Sequence, residues 1–378
     1  MGRRVSLQSL RDYNPDRVKT ALQNLLEPFG GIATFVKPGQ RVLIKPNMLA
    51  GKAPEKAVTT HPEIVRQTIL LAQAAGGTVS VGDSPGLGRP REVARKCGIL
   101  QVIEETGATF APFAESVPVH SPSGMFHQLE IARDALDAEV IINLPKLKTH
   151  QMIGYTGAVK NLFGLVVGMR KARLHLQAGS DKAFFALMLL DLAEYCQPAL
   201  SIMDAVIGME GDGPGSGEPV RLGAVLASPQ PLALDTVATA MVNLPEQRVW
   251  TQRMARQQGL PGVDLSEIEL CGTPLAELRH ESFRPARSAD VNFGLPAPLN
   301  NLLRHSLSAQ PEITGKCRRC GHCVSHCPPQ AMRLTEQGVD IDARRCIRCF
   351  CCQELCPDNA IVTRQGLLLR LTELFGGK

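Results

Sequence analysis

Two runs of cysteine near the end of the sequence constrain this chain more than any other feature. Residues 317–328 read CRRCGHCVSHCP and residues 346–357 read CIRCFCCQELCP. Each has the spacing C-x2-C-x2-C-x3-C-P, and the second begins 29 residues after the first. A zinc site would take four ligands in two CxxC pairs, not two full quartets each closed by a proline. Three thiolates on one short loop instead suit an iron–sulfur cubane, with loop N–H groups aimed at its sulfurs. Pro328 and Pro357 end the loops, and Cys351, beside a ligand position, reads as a spare small residue.

The spacing is that of bacterial ferredoxins with two [4Fe–4S] clusters, in which the fourth cysteine of each run ligates the other cluster. The expected sets are Cys317, Cys320, Cys323 and Cys356 for one cluster, and Cys346, Cys349, Cys352 and Cys327 for the other. Between the runs, AMRLTEQGVDID reads as strand, glycine turn, strand, and Ala360–Val362 mirrors Ala331–Arg333. These are the short hairpins of a small α+β ferredoxin-like domain, expected over residues 314–364. The closing GLLLRLTELFGGK has apolar residues at helical spacing and reads as a tail helix over 365–378. Residues 284–316 hold four prolines and little periodicity, so 286–313 read as a connector.

At 378 residues the chain suits two or three domains, and 44% hydrophobic content buries a real core. Aromatics are only 4%, and the net charge of +5 is spread without a long basic run, which argues against a nucleic-acid partner. Eight cluster thiolates and two cluster cores would add about −4 and bring the loaded protein near about +1. No stretch of 18 apolar residues spans a membrane. The opening MGRRVSLQSL has no apolar core and matches myristoylation and twin-arginine patterns only superficially. The cytoplasm is the expected compartment, where clustered cysteines mean metal or redox chemistry.

The first 285 residues alternate strands with helices. Asn14 and Pro15 open one helix, and Thr60 with Glu63 reads as the capping box of another, ending at Gly76-Gly77. VLIKPN, TVSVGDSPG, VIINLPKLKTH and LSIMDAVIG read as strands with polar ends, the third running into a basic loop. The expectation is an α/β domain with a mostly parallel sheet flanked by helices. Ligands bind beyond the carboxyl ends of such strands. Lys45 and Asn47, Asp83 and Ser84, Lys146, Lys148 and His150, and Asp204 all fall there. Taken singly each residue is weak, but their convergence on one rim is the signal. Residues 208–219 are glycine-rich but lack the Gly-Lys-Ser/Thr ending of a P-loop, and read as a lid or a plain connection.

VLIKPN, TTHPEIV, GDSPG, NLPKLKTH, GAVKNLFG, MDAVIGMEGDGPGSGEP and LASPQPLALDTVA, in this order, resemble the successive blocks of the domain of unknown function 362 over roughly residues 5–285. The resemblance implies an iron–sulfur protein of bacteria or archaea, often with a C-terminal two-cluster ferredoxin module. Its polar block residues fall here on Lys45, Asn47, Thr60, His61, Asp83, Ser84, Lys146, Lys148, His150, Lys160, Asn161, Asp204, Glu210 and Asp235. It supplies no chemistry.

The expected function is a ferredoxin-dependent oxidoreductase. Electrons from a redox partner or donor would pass through two clusters to an anionic small molecule at the rim. Lys146, Lys148 and Lys160 would hold the anion, with Lys45, Asn47, Ser84 and Asn161 around it. His150 is the candidate acid or base, since its ordinary pKa lies near neutrality. Asp83 or Asp204 would orient it or bind a metal. A non-catalytic electron-transfer subunit or assembly factor is the first alternative. A non-redox enzyme with structural or sensory clusters is the second. No nicotinamide or flavin fingerprint is visible.

Overall fold

The computed structural model describes residues 3–86, 88–121, 129–168, 170–179, 181–287 and 309–365. In chain order the first half runs β1 (Arg4–Ser9), α1 (Pro15–Leu26), β2 (Arg41–Pro46), α2 (Pro62–Ala74), β3 (Thr78–Val81), α3 (Pro90–Lys96), α4 (Ile99–Thr106), β4 (Thr109–Phe110), β5 (Ser116–Val119), β6 (Leu129–Ala132), α5 (Arg133–Leu136), β7 (Val140–Leu144), β8 (Lys146–His150) and β9 (Gly154–Thr156). Then come α6 (Ala158–Asn161), α7 (Arg170–Ala178), α8 (Lys182–Cys196), β10 (Leu200–Glu210), β11 (Glu218–Ser228), α9 (Pro231–Met241), α10 (Trp250–Gln257), β12 (Glu269–Gly272) and α11 (Leu275–Leu278). The C-terminal module holds β13 (Ala309–Ile313), α12 (His322–Ser325), β14 (Met332–Thr335), β15 (Gly338–Ile341), α13 (Cys351–Glu354) and β16 (Ile361–Gln365).

The main sheet has the order β12-β1-β11-β10-β7-β2-β3-β4, with β8 beside β10 and β9 beside β8. From β10 through β7, β2 and β3 to β4 every pairing is parallel. That half is buried on both faces, as the unbroken apolar VLI of β2 requires. The other half is mixed, because β11 returns antiparallel to both β10 and β1. The sheet is therefore mostly parallel and flanked by helices, as the alternation implied.

Local chemistry explains the helices. Asn14 Oδ1 accepts from Arg17 N at 3.2 Å, Pro15 starts α1, and the helix buries Val18, Leu22, Leu25 and Leu26. Each such side chain contributes roughly 1.5–3 kcal/mol on burial. The start of α2 differs from the capping box expected at Thr60. His61 is the cap, and its Nδ1 accepts from Glu63 N at 3.1 Å. Thr60 serves the sheet instead: its hydroxyl accepts from Asn47 N at 2.8 Å and donates to Leu144 O at 2.6 Å. Pro62 fits the first helical position and so fixes the start one residue later.

Two further expectations change. The basic segment after β7 is not a loop but the strand β8, paired parallel to β10 and antiparallel to β9, and all five of its residues are buried. Residues 208–219 span the ends of β10 and β11 and the turn of their hairpin, where Gly213 N donates to Thr149 Oγ1 at 3.2 Å. β5 and β6 pair antiparallel, and most of the residues between them lie outside the described ones. So do most of the connector and nearly all of the tail helix. The last residues of the connector, Ala309–Ile313, form β13 against β16. Among the described residues no helix is long and apolar enough to cross a membrane.

His61 gives the fold a pH dependence. Burial pushes its imidazole down to about 4, against the pull of Asp204, and its ring stacks on Tyr13 at 3.5 Å. Between about pH 4 and pH 6.5 the unfolded chain thus binds more protons than the folded one, and stability rises with pH. Falling through that window the protein should lose about 3 kcal/mol through this residue. His61→Asn keeps a capping side chain without the titration. Denaturant unfolding at pH 6.5 and pH 4 should show a smaller loss in the variant by about that amount; equal losses would assign the acid sensitivity elsewhere.

Candidate functional site

The strand ends carry buried charge in pairs. Lys45, at the end of β2, forms an ion pair with Asp83 at 2.8 Å, and the two side chains are 0% and 4% exposed. The other Asp83 oxygen accepts from Met48 N at 2.7 Å. Lys146 opens β8 and pairs with Asp204 of β10, also at 2.8 Å. Asp204 further accepts from Tyr13 Oη at 2.9 Å and His61 N at 2.9 Å. Burial lowers the pKa of both lysines, and the carboxylates oppose it.

Amides link these pairs. Lys148 Nζ donates to Asn47 Oδ1 at 3.0 Å and to Val58 O at 2.7 Å. Asn47 Nδ2 donates to Asn161 Oδ1, and Asn161 Nδ2 to Asn143 Oδ1, both at 2.8 Å. Asn143 Nδ2 reaches Ser201 Oγ at 3.1 Å. His150 Nδ1 accepts from Met152 N at 3.1 Å. That bond assigns the neutral ring's proton to Nε2.

A cavity of ≈ 100 Å³ opens over this network. Asn47, Asp83, Ser84, Lys148, His150, Lys160 and Asn161 line it; Lys45, Lys146 and Asp204 do not. Lys146 and Lys148 sit on one strand, yet Asp204 takes the first and only the second reaches the cavity. Lys160 Nζ lies 4.4 Å from the centroid of the Phe163 ring. Of the other family positions, Asp235 is structural: it accepts from Ala158 N at 2.6 Å and Val159 N at 3.0 Å, at the start of α6. Burial raises its pKa to about 7, against those bonds. Glu210 holds Arg284 at 2.7 Å.

Sequence reasoning missed Lys171, His175 and His326, which also line the cavity. Lys171 and His175 share a face of α7 at i, i+4 spacing, a signal present in RKARLHLQA. His326 comes from the first cysteine run, between Cys323 and Cys327.

The C-terminal module forms the far wall, through His326, Cys351 and Leu355. Cys349, Cys351 and Leu355 share an apolar cluster with Met152, Ile153 and Phe163 of the larger domain. Gln151 and Arg287 hydrogen-bond Thr363, and Lys52 bonds Pro357 O.

The 29-residue sequence repeat is also a backbone repeat. Arg319 and Arg348 have φ of 56° and 57°, Gly321 and Phe350 75° and 57°, and Gln330 and Asn359 51° and 50°. Ala331 N donates to Cys327 Sγ at 3.3 Å, and Ala360 N to Cys356 Sγ at 3.1 Å. The thiols gather crosswise. Cys323 is pushed up to about 11 by burial and then by Cys317, Cys320 and Cys356. Cys352 is raised by burial and then by Cys349, Cys346, Cys327 and, least, Cys323. Among the described residues no three His, Cys, Asp or Glu side chains converge on one metal ion. A cubane asks for wider spacing, since each thiolate takes its own iron, and the N–H···S bonds to Cys327 and Cys356 suit that group.

The domain of unknown function DUF362 matches residues 42–240, and a 4Fe-4S dicluster domain matches residues 316–360. A thylakoid-associated protein of Synechocystis sp. is 39% identical over 309 residues, covering 81% of this chain and 95% of that protein. The chain belongs to the DUF362 family. Its dicluster domain makes it an iron–sulfur protein of the ferredoxin type. One subunit of an ion-translocating oxidoreductase complex of Methanosarcina acetivorans is 40% identical over 48 residues, which are 13% of this chain and 18% of that protein. The lactate racemase apoprotein of Thermoanaerobacterium thermosaccharolyticum is similar at 16% identity and a TM-score of 0.39, covering 60% of this chain and 54% of that one.

Gly164 tests how tightly the rim is built. A Cβ there would stand 1.9 Å from Asp83 Oδ1 and 2.6 Å from Lys45 Nζ. Gly164→Ala should force the buried pair apart and cost about 3 kcal/mol in denaturant unfolding. Gly39→Ala, at a left-handed φ of 82° but in open space, should cost only about 1 kcal/mol. Equal costs would show that the pair yields without strain.

Proposed function

We propose that this protein is an iron–sulfur oxidoreductase that passes electrons through two [4Fe–4S] clusters to a small anionic substrate or cofactor. The substrate occupies the cavity between the strand-end rim and the C-terminal module. The observation that carries this reading is the shared wall. Cys351, flanked by the expected ligands Cys349 and Cys352, lines the same cavity as Lys148, His150 and Lys160. Cys317, Cys320, Cys323 and Cys356 hold one cluster, and Cys346, Cys349, Cys352 and Cys327 the other. The clusters supply one-electron transfer, and the chain does the rest.

Lys148 and Lys160 bind the anion, with Asn47, Ser84 and Asn161 fixing its orientation. His150 donates or accepts a proton at Nε2, its ring held from behind by the Met152 N–H. Asp83 pairs with Lys45 beneath the site and opposes the lowering of its pKa by burial. Lys146 and Asp204 act as a positioning pair for β8. The ferredoxin module spans residues 309–365, β13 included, and the reducing cytoplasm suits its thiolates.

Anaerobically purified protein should carry about eight iron and eight sulfide per chain. Cys351→Ser should leave that content intact, whereas Cys352→Ser should lose or convert one cluster. The reverse would put the loop one residue out of register.

The rim is tested separately. Reduced protein mixed anaerobically with a panel of small carboxylates and phosphates should be reoxidised by a narrow subset, read from cluster absorbance. Lys148→Met or His150→Gln should slow that reoxidation about a hundredfold, with iron content unchanged. Variants that lose iron but keep the rate would make these residues structural and the larger domain a docking surface.

A further inference from the structure

A second cavity, of ≈ 90 Å³, lies on the other side of His150, which lines both. We propose that it binds a phosphoryl group, either on a small molecule or as free phosphate. The inference goes beyond the redox reading and does not rest on it.

Charge is the first argument. Lys182, Arg248, Arg253 and Arg287 all line this cavity, and among the described residues no aspartate or glutamate does. Asp212 approaches Arg287 from outside it, at 3.8 Å. Arg248, Arg253 and Arg287 around one small space repel one another, and a multiply charged oxyanion relieves that repulsion better than a monocarboxylate. Guanidinium forks match phosphate oxygens in pairs.

Backbone dipoles are the second. Lys182 is the first residue of α8 and Trp250 the first of α10, so two helix N-termini meet at this cavity. Asp181 already caps α8 through Phe184 N and Ile153 O takes the Trp250 N–H, so what remains for an anion is the dipole of α10. It would not suffice without the cations.

The cavity is also held in place. Gly154 has φ of 85°, and a Cβ on it would stand 1.7 Å from Arg248 O, so only glycine admits that backbone contact. Trp250 N donates to Ile153 O at 3.1 Å. The Arg253 guanidinium lies 4.2 Å from the Trp250 ring centroid, which fixes its plane. Arg287 donates to Thr363 O at 3.1 Å, tying the cavity to the C-terminal module.

Trp250 is the only tryptophan in the chain, so its emission reports this cavity alone. Inorganic phosphate titrated into the full-length, cluster-loaded protein without reductant should bind a saturable site that Trp250 emission reports, with its affinity read by calorimetry. Acetate at the same ionic strength should not. The Arg248→Gln, Arg253→Gln double variant should bind phosphate at least tenfold more weakly by calorimetry, with iron content unchanged. If that variant folds poorly, Arg287→Gln, whose side chain is 54% exposed, carries the same expectation. No saturable phosphate binding, equal binding of acetate, or unchanged affinity in a folded variant would overturn the assignment. Since no electron transfer is measured, failure here leaves the oxidoreductase reading standing, and success does not prop it up.

Discussion

The rim of this protein depends on burying lysine ammonium groups at the ends of strands. Lys45 and Lys146 are at most 1% exposed, and each meets a carboxylate at 2.8 Å. Burial lowers the pKa of both ammonium groups, and Asp83 and Asp204 oppose that shift. Such pairs add little net stability, because desolvation offsets most of the attraction. Their effect is on position. Asp83 follows β3 and Lys45 lies at the end of β2, so one pair fixes neighbouring strand ends; Lys146, first in β8, and Asp204, inside β10, tie that strand pair together. The amides from Asn47 through Asn161 and Asn143 to Ser201 link β2, β7 and β10 between them.

On that frame the C-terminal module meets a surface already ordered. Its two cysteine loops share one backbone path but not one environment. Cys320 of the first run is exposed, while Cys349, Cys351 and Cys352 of the second are buried, and two of these pack into the larger domain's apolar cluster. Cluster potentials follow solvation and N–H···S bonding. Under the two-cluster reading, near-identical loops therefore need not give identical potentials. The position nearer the cavity is the better shielded one.

The cysteine repeat was legible because its constraint is local: three thiolates and a left-handed turn at fixed offsets specify a loop without help from elsewhere. The strand-end residues were legible because each follows an apolar run of buried-strand length. What escaped was set by distant partners. Lys146 and Lys148 look equivalent on an alternating strand, but Asp204, 58 residues away, takes the first and leaves the second to the cavity. Thr60 looked like a cap until Asn47 and Leu144 claimed its hydroxyl. β11 runs antiparallel because a short hairpin joins it to β10, and no apolar pattern encodes that choice. His326 reaches the cavity only because the module docks there.

The turn from β8 into β9 ties the two cavities together. His150 ends β8 and lines both. Its Nδ1 takes the Met152 N–H, and Ile153 O takes the Trp250 N–H, so three consecutive turn residues join the imidazole to the start of α10. Gly154 then lies against the Arg248 backbone with no room for a side chain. A substitution that lifts α10 off this turn would disturb the histidine as well as the second cavity, without touching a lysine of the rim. Continuity of contacts is not by itself energetic coupling, which needs an element with two discrete arrangements that both sites bias. What the geometry does fix is the order of dependence. The ion pairs set the strand ends, β8 sets the histidine, and the turn after it sets both walls.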